Sequence, residues 1–228
     1  MPRIARVVAT GYPHHITQRG NYRQEIFTDD ADRLEYISFL KKESKRYGLK
    51  IMAYCLMSNH VHFVAVPKKE DSMWKVFKYA HMKYSQYHNK RSGVTGHLFQ
   101  GRFFSCVMDE RHTIACARYV ERNPVRAKIV KDPCLWKWSS AATHCGQDED
   151  DELGVNAFFE YIGRAKRGWK EFILEPDDPE EVKEIRERTR KGRVLGTEGF
   201  TEKLEGKLSR VLELKPKGRP KKQANGDK

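Results

Sequence analysis

Short apolar runs and helical stripes alternate along the first two thirds of the chain. Residues 12–18 (YPHHITQ) carry β-formers ahead of the turn signal Arg19-Gly20-Asn21, which predicts a strand. Asp29 or Asp30 can cap a helix running to about residue 47, with Leu34, Ile37 and Leu40 on one face and Gly48 ending it. Residues 49–57 and 61–66 are apolar runs joined by the tight Ser58-Asn59 corner, the pattern of a hairpin. A second helix opens at Asp71-Ser72 and extends to about residue 91, with Trp74, Phe77, Ala80, His81, Tyr84 and Tyr87 at helical spacing. After a loop from Gly93 to Gly101, residues 103–108 predict a short strand. Asp109 then caps a helix that reaches Arg122, before Asn123-Pro124 bends the chain.

The order β-α-β-β-α-β followed by α predicts an α+β fold of the ferredoxin-like, split βαβ kind. Its antiparallel sheet is expected to carry helices on one face and leave the other face, or an edge, open to a flat polymer. Beyond residue 133 only helices are expected, around 133–144, 153–166, 178–191 and 199–213, as an accessory region rather than a second core. The acidic run QDEDDE at 147–152 marks an exposed linker. The chain thus divides into 1–147, 148–214 and a basic tail, 215–228, whose Pro and Gly content predicts disorder.

Charge sharpens this division. The 228 residues carry a formal net charge of +13, yet residues 1–147 hold 25 Lys+Arg against 12 Asp+Glu, while residues 148–228 hold 19 of each. A positive field concentrated in one part attracts a polyanion, and nucleic acid is the commonest one in a cytosol; a basic surface kept for solubility has the same composition. No 18-residue apolar window or secretory signal is present. Five cysteines at irregular spacing point to reduced thiols in a cytoplasmic protein. Cys134 and Cys145, beside His144, match no standard zinc spacing.

Two constellations carry candidate chemistry. His60-Val61-His62 lies in a predicted strand, where alternation sends both imidazoles to one face and Val61 into the core. Such a pair is a bidentate metal site or simply two packed histidines. Tyr119 and Asn123 stand one helical turn apart, on one face. Their bland reading is a tyrosine packed on the sheet and an asparagine capping the helix before Pro124. Their sharper reading is a phenol beside a hard amide oxygen that completes a two-histidine site, a mixed N/O set suited to Mg²⁺ or Mn²⁺.

Four motifs stand in order and at fixed spacing: Thr17-Gln-Arg-Gly-Asn21, Met57-Ser-Asn-His-Val-His62, Gly101-Arg-Phe-Phe-Ser105 and Arg118-Tyr-Val-Glu-Arg-Asn-Pro-Val-Arg-Ala127. Together they resemble the single-tyrosine HUH transposases of bacterial insertion sequences, and within these the REP-associated tyrosine transposases. The resemblance is strong over about residues 1–145 and weaker over 192–212 and the tail. It implies that His60 and His62 hold a divalent metal, that Tyr119 is the nucleophile and that Asn123 supplies a third ligand, where some relatives carry Gln. It also implies a sequence- and hairpin-specific single-strand DNA endonuclease and strand transferase, acting on repetitive extragenic palindromes. Attack by the tyrosine leaves a 5′-phosphotyrosine and a free 3′-OH, which can rejoin strands without ATP. Insertion-sequence members are dimers and REP-associated members monomers, so monomer and homodimer both stay open. Arg3, Arg6, Arg19, Arg23, Arg102, Arg122 and Arg126 are candidates for DNA contacts, and Gly218-Arg-Pro220 resembles an AT-hook core. The alternatives are a hairpin-binding regulator without cleavage and an RNA-directed protein.

Overall fold

The computed structural model describes residues 6–148 and 151–212. Its elements follow the predicted order: β1 (His14–Arg19), α1 (Asp30–Tyr47), β2 (Leu49–Leu56), β3 (His60–Pro67), α2 (Ser72–Ser92), β4 (Phe104–Val107) and α3 (Glu110–Glu121). The strands form one antiparallel sheet in the order β2-β3-β1-β4, the ferredoxin-like arrangement. Asp29 caps α1 by accepting from the Asp32 amide, Asp109 caps α3 in the same way from His112, and Gly48 ends α1 in the left-handed conformation.

Strand alternation divides the core in two. On one face Ile16, Tyr54, Leu56, Val61, Phe63 and Ala65 meet α1 and α2 through Tyr36, Ile37, Leu40, Phe77 and Tyr84. Leu34 and Trp74, assigned to these buried stripes by periodicity, are exposed; α1 is centred on Tyr36, Ile37 and Leu40 instead. At Met52 the β2–β3 register shifts by one residue. This bulge sends both Met52 and Ala53 to the opposite face, together with Cys55, Met57 and Val64.

That opposite face is not open. α3 lies across it, followed by α4 (Asn123–Arg126), α5 (Ala141–His144), α6 (Ala157–Ile162), α7 (Trp169–Leu174), α8 (Pro179–Lys191) and α9 (Glu198–Leu208). Cys116, Ala117 and Val120 of α3 pack with Phe158, Phe159, Ile162, Trp169, Ile173, Val182 and Ile185 into a second hydrophobic core. The expectation of a free face and a merely accessory helical region is thereby corrected: the later helices supply about half of this second core. Glu121, fully buried, ties the layers together by accepting from Ser140 Oγ (2.6 Å) and Trp169 Nε1 (2.8 Å) and by facing His144 Nδ1 (2.6 Å).

The predicted helices at 133–144 and 153–166 shrink to single turns. Residues between Trp136 and Ser140 instead run along β2, where Leu56 N–H donates to the Trp138 carbonyl (2.8 Å) and Ser140 N–H to that of Tyr54 (3.1 Å). Covering the sheet edge satisfies more backbone groups than continuing a helix would. Left-handed Gly163 stops α6, and α7 had no counterpart in the sequence reading. No helix among the described residues is long and apolar enough to cross a membrane. The tail, with Gly218-Arg-Pro220, lies outside the described residues.

Burial pushes the imidazoles of His81 and His14 down from 6.5 to about 3 and about 4 respectively. The folded chain keeps both neutral where the unfolded chain would be protonated, so stability is flat above about pH 6.5 and falls as pH drops toward 4. Each ring contributes about 1.4 kcal/mol per pH unit in that window. Urea unfolding at pH 7 and at about pH 4.5 should therefore show a smaller loss for His81→Phe than for wild type, by about 2 kcal/mol.

Candidate active site

A cavity of about 400 Å³ opens where β1, β3, α3 and α8 converge. Its lining includes His15, Thr17, Arg19, His60, His62, Tyr119, Asn123, Arg126, Arg186, Thr189 and Arg190. β3 contributes His60 and His62 from its second face, with ring centroids 5.1 Å apart. Thr17 of β1 pairs with His62, and alternation places His15 on the same face. Gly20, in the turn after β1, has no room for a side chain, since a Cβ would stand 2.3 Å from the Gln24 carbonyl oxygen. This is the physical demand behind the glycine of the Thr17–Asn21 motif.

The imidazoles are hydrogen-bonded through Nδ1. His60 Nδ1 donates to Asn59 Oδ1 at 2.6 Å, and His62 Nδ1 lies 2.9 Å from His15 Nε2, with the two rings stacked. Burial is the main force lowering their basicity. His15 falls to about 3, helped by Arg126; His60 falls to about 4, helped by Arg19, Arg126 and Arg186. His62 is also held well below its ordinary range, by burial and then by its two histidine neighbours. The rings are neutral at pH 7, and donation from Nδ1 to Asn59 leaves Nε2 of His60 with a lone pair.

Tyr119 stands edge-on to His15 and His62, with centroids at 5.6 and 5.7 Å. Arg186 Nε of α8 reaches its hydroxyl at 3.5 Å, and the Arg126 guanidinium covers its ring at 4.1 Å while also donating to the Tyr119 carbonyl. Asn123 donates its side-chain N–H to the carbonyls of Val120 (3.1 Å) and Tyr119 (3.4 Å). The amide nitrogen is thus used by the helix end, as the bland reading had it, and the amide oxygen remains for the cavity. Among the described residues no group of three or more His, Cys, Asp or Glu side chains could hold a metal. Two imidazole nitrogens and one amide oxygen are a donor set whose chemistry suits a divalent ion.

The arginines divide by role. Arg19 is exposed at the cavity, joined by Arg126 and by Arg186 and Arg190 of α8. Arg6 stacks on Phe103 at 3.7 Å and, with exposed Arg102, borders a separate cavity of about 570 Å³ against α2. Arg23 is exposed beyond the turn, and Arg3 lies outside the described residues. Arg122 is a correction. It is buried, bonded to Asp177 at 2.9 Å and to the Ile173 carbonyl, and so clasps the α7–α8 segment instead of facing DNA.

Sequence reasoning missed His15, Arg186, Thr189 and Arg190. His15 was legible as the same-face partner of Thr17 and Arg19 in an alternating strand. The other three share one face of α8 at positions i, i+3 and i+4, but only tertiary packing aims that face at the histidines.

A model of the family described as transposase IS200 like matches residues 9–123, half of the chain. The protein belongs to that family, as its four motifs indicated. Its fold is similar to that of a REP-associated tyrosine transposase bound to a REP hairpin, with a TM-score of 0.53 and 17% identity over 67% of this chain and 90% of that one. A candidate transposase of Deinococcus radiodurans R1 is 18% identical over 53% of this chain and 97% of that one, with a TM-score of 0.37. No curated protein matches the chain.

The separation of arginine roles is measurable. Arg122→Ala removes the 2.9 Å ion pair with Asp177 and the bond to the Ile173 carbonyl, leaving Asp177 to Arg126 at 3.4 Å, and should cost about 1–3 kcal/mol in urea unfolding. Arg19→Ala, at an exposed position, should stay within about 0.5 kcal/mol of wild type.

Proposed function

We propose that this protein cleaves and rejoins single-stranded DNA with Tyr119 as nucleophile, and that the DNA is a hairpin from palindromic extragenic repeats, as in the REP-associated branch. The observation that carries the reading is the convergence of His60, His62, Asn123 and Tyr119 on one cavity rimmed by Arg19, Arg126, Arg186 and Arg190. A binding module has no need of that combination.

In this reading His60 Nε2, His62 Nε2 and the Asn123 amide oxygen hold a divalent cation, Mg²⁺ or Mn²⁺. When bound, such an ion polarises the scissile phosphate and neutralises charge that develops on it. The chain's own groups do the rest. A phenol has a pKa of about 10, so it needs exact placement against the phosphorus as well as an electrostatically favourable setting. Arg186 Nε holds the Tyr119 hydroxyl from the α8 side, and Arg126 fixes the ring and its backbone. Arg19 and Arg190 are placed to bind flanking phosphates.

The Tyr119 oxygen forms a bond to phosphorus as the bond from phosphorus to the 3′-oxygen breaks. The proton lost by the phenol is balanced by the one gained at the new 3′-OH. The phosphotyrosine keeps the phosphodiester's free energy, so a 3′-OH can reverse the step. One nucleophilic tyrosine per chain means that two strands are processed in succession or by two protomers.

A labelled hairpin oligonucleotide with single-stranded flanks, incubated with Mn²⁺, should yield a protease-sensitive, slow-migrating band on a denaturing gel with wild type and none with Tyr119→Phe. The variant should still shift the hairpin on a native gel, since only a hydroxyl is lost. A native shift without any covalent band in wild type would leave a hairpin-binding regulator. Hairpin affinity should fall linearly on a log–log plot against salt, with a slope of about −0.7 to −0.9 per phosphate contacted. An affinity indifferent to salt would disconnect the +13 charge from DNA.

A further inference from the structure

The path of hydrogen bonds behind His62 has a direction. Thr189 Oγ1 in α8 donates its single proton to the Ile185 carbonyl one turn earlier, at 2.7 Å. With that proton committed, the same oxygen can only accept from His15 Nδ1, which lies 2.7 Å away. His15 therefore carries its proton on Nδ1 and presents a lone pair at Nε2. That lone pair faces His62 Nδ1 at 2.9 Å, so His62 must donate from Nδ1. Both rings are buried, which strengthens these hydrogen bonds. Cys106 Sγ lies 3.2 Å from Thr189 Oγ1, where its thiol can donate to the hydroxyl oxygen; the 2.7 Å bond to the Ile185 carbonyl is the stronger use of the hydroxyl proton.

We infer that Thr189 and His15 are positioning residues: through the relay Ile185 carbonyl, Thr189 hydroxyl, His15 ring, they lock His62 in the tautomer whose Nε2 lone pair faces the cavity. The inference rests on the reading of His62 as a ligand. It gives α8, which lies beyond the residues matched by the family model, a role in the site apart from its arginines. Reversing the relay would put the His62 proton on Nε2, where no cation can bind. His60 is set independently by Asn59 Oδ1, so the two imidazoles are oriented by separate hydrogen bonds.

Nitrogen-15 NMR of the metal-free full-length protein reads the tautomers directly. Wild type should show Nδ1–H and bare Nε2 for both His15 and His62. Thr189→Val keeps the shape and removes the acceptor, so it should populate Nε2–H on both rings and weaken Mn²⁺ binding by about 10- to 100-fold in calorimetry. Thr189→Ser, which retains the hydroxyl, should restore both readouts. A proton on His62 Nε2 in wild type overturns the relay, whether or not the valine variant folds. So does a folded valine variant with wild-type tautomers and Mn²⁺ affinity. Failure of the metal reading looks different: wild type would bind no Mn²⁺, or would bind it unchanged after His60→Ala, while the tautomers stayed as stated.

Discussion

The site depends on one constraint, the two-residue period of a β-strand that is buried on both faces. Along β3, Val61, Phe63 and Ala65 enter the core under α1 and α2, which forces His60, His62 and Val64 to the other side. A one-residue slip would exchange the sets, burying the imidazoles among Tyr36 and Phe77 and leaving Val61 facing the cavity. Register is therefore fixed by the hydrophobic side, and the chemistry inherits its placement from packing that takes no part in it. The bulge at Met52 keeps the neighbouring strand in phase with this division.

The second face shows how the later helices turn a strand with two histidines into a cavity. Phe158, Trp169 and Ile185 join α3 and the sheet in one core, and Arg122 with Asp177 fastens the approach to α8. α8 then brings Arg186, Thr189 and Arg190 against Tyr119 and His15. Burial acts on the histidines and spares most of the arginines. It keeps the imidazoles neutral and so able to donate lone pairs, while Arg19, Arg186 and Arg190 stay exposed at the rim and only Arg126 is partly buried beside Tyr119.

Much of this was legible in the sequence because it is local. Capping by Asp29 and Asp109, the stop at Gly48 and the alternation of His60-Val61-His62 are decided within a few residues, and the element order followed from them. The misreadings arise where long-range packing overrides local preference. Residues 136–140 have an acceptable helical composition but pair with β2, because an uncovered edge leaves more polar groups unsatisfied. Arg122 carries the same charge as Arg126 and stands one turn away, and both reach Asp177, yet only Arg126 also covers Tyr119 and borders the cavity. No spacing rule separates them. The same applies to α8, whose charged surface reads as a solvated helix until its position is known.

The central claim is that two strand histidines and a helical amide form one cation site beside the Tyr119 phenol. Crystals of the full chain soaked in Mn²⁺ and measured at the manganese absorption edge test it most directly. One strong anomalous peak is expected within bonding distance of His60 Nε2 and His62 Nε2, on the side of Asn123 and Tyr119. A peak coordinated through Nδ1, or one bound elsewhere with none at these histidines, would contradict it.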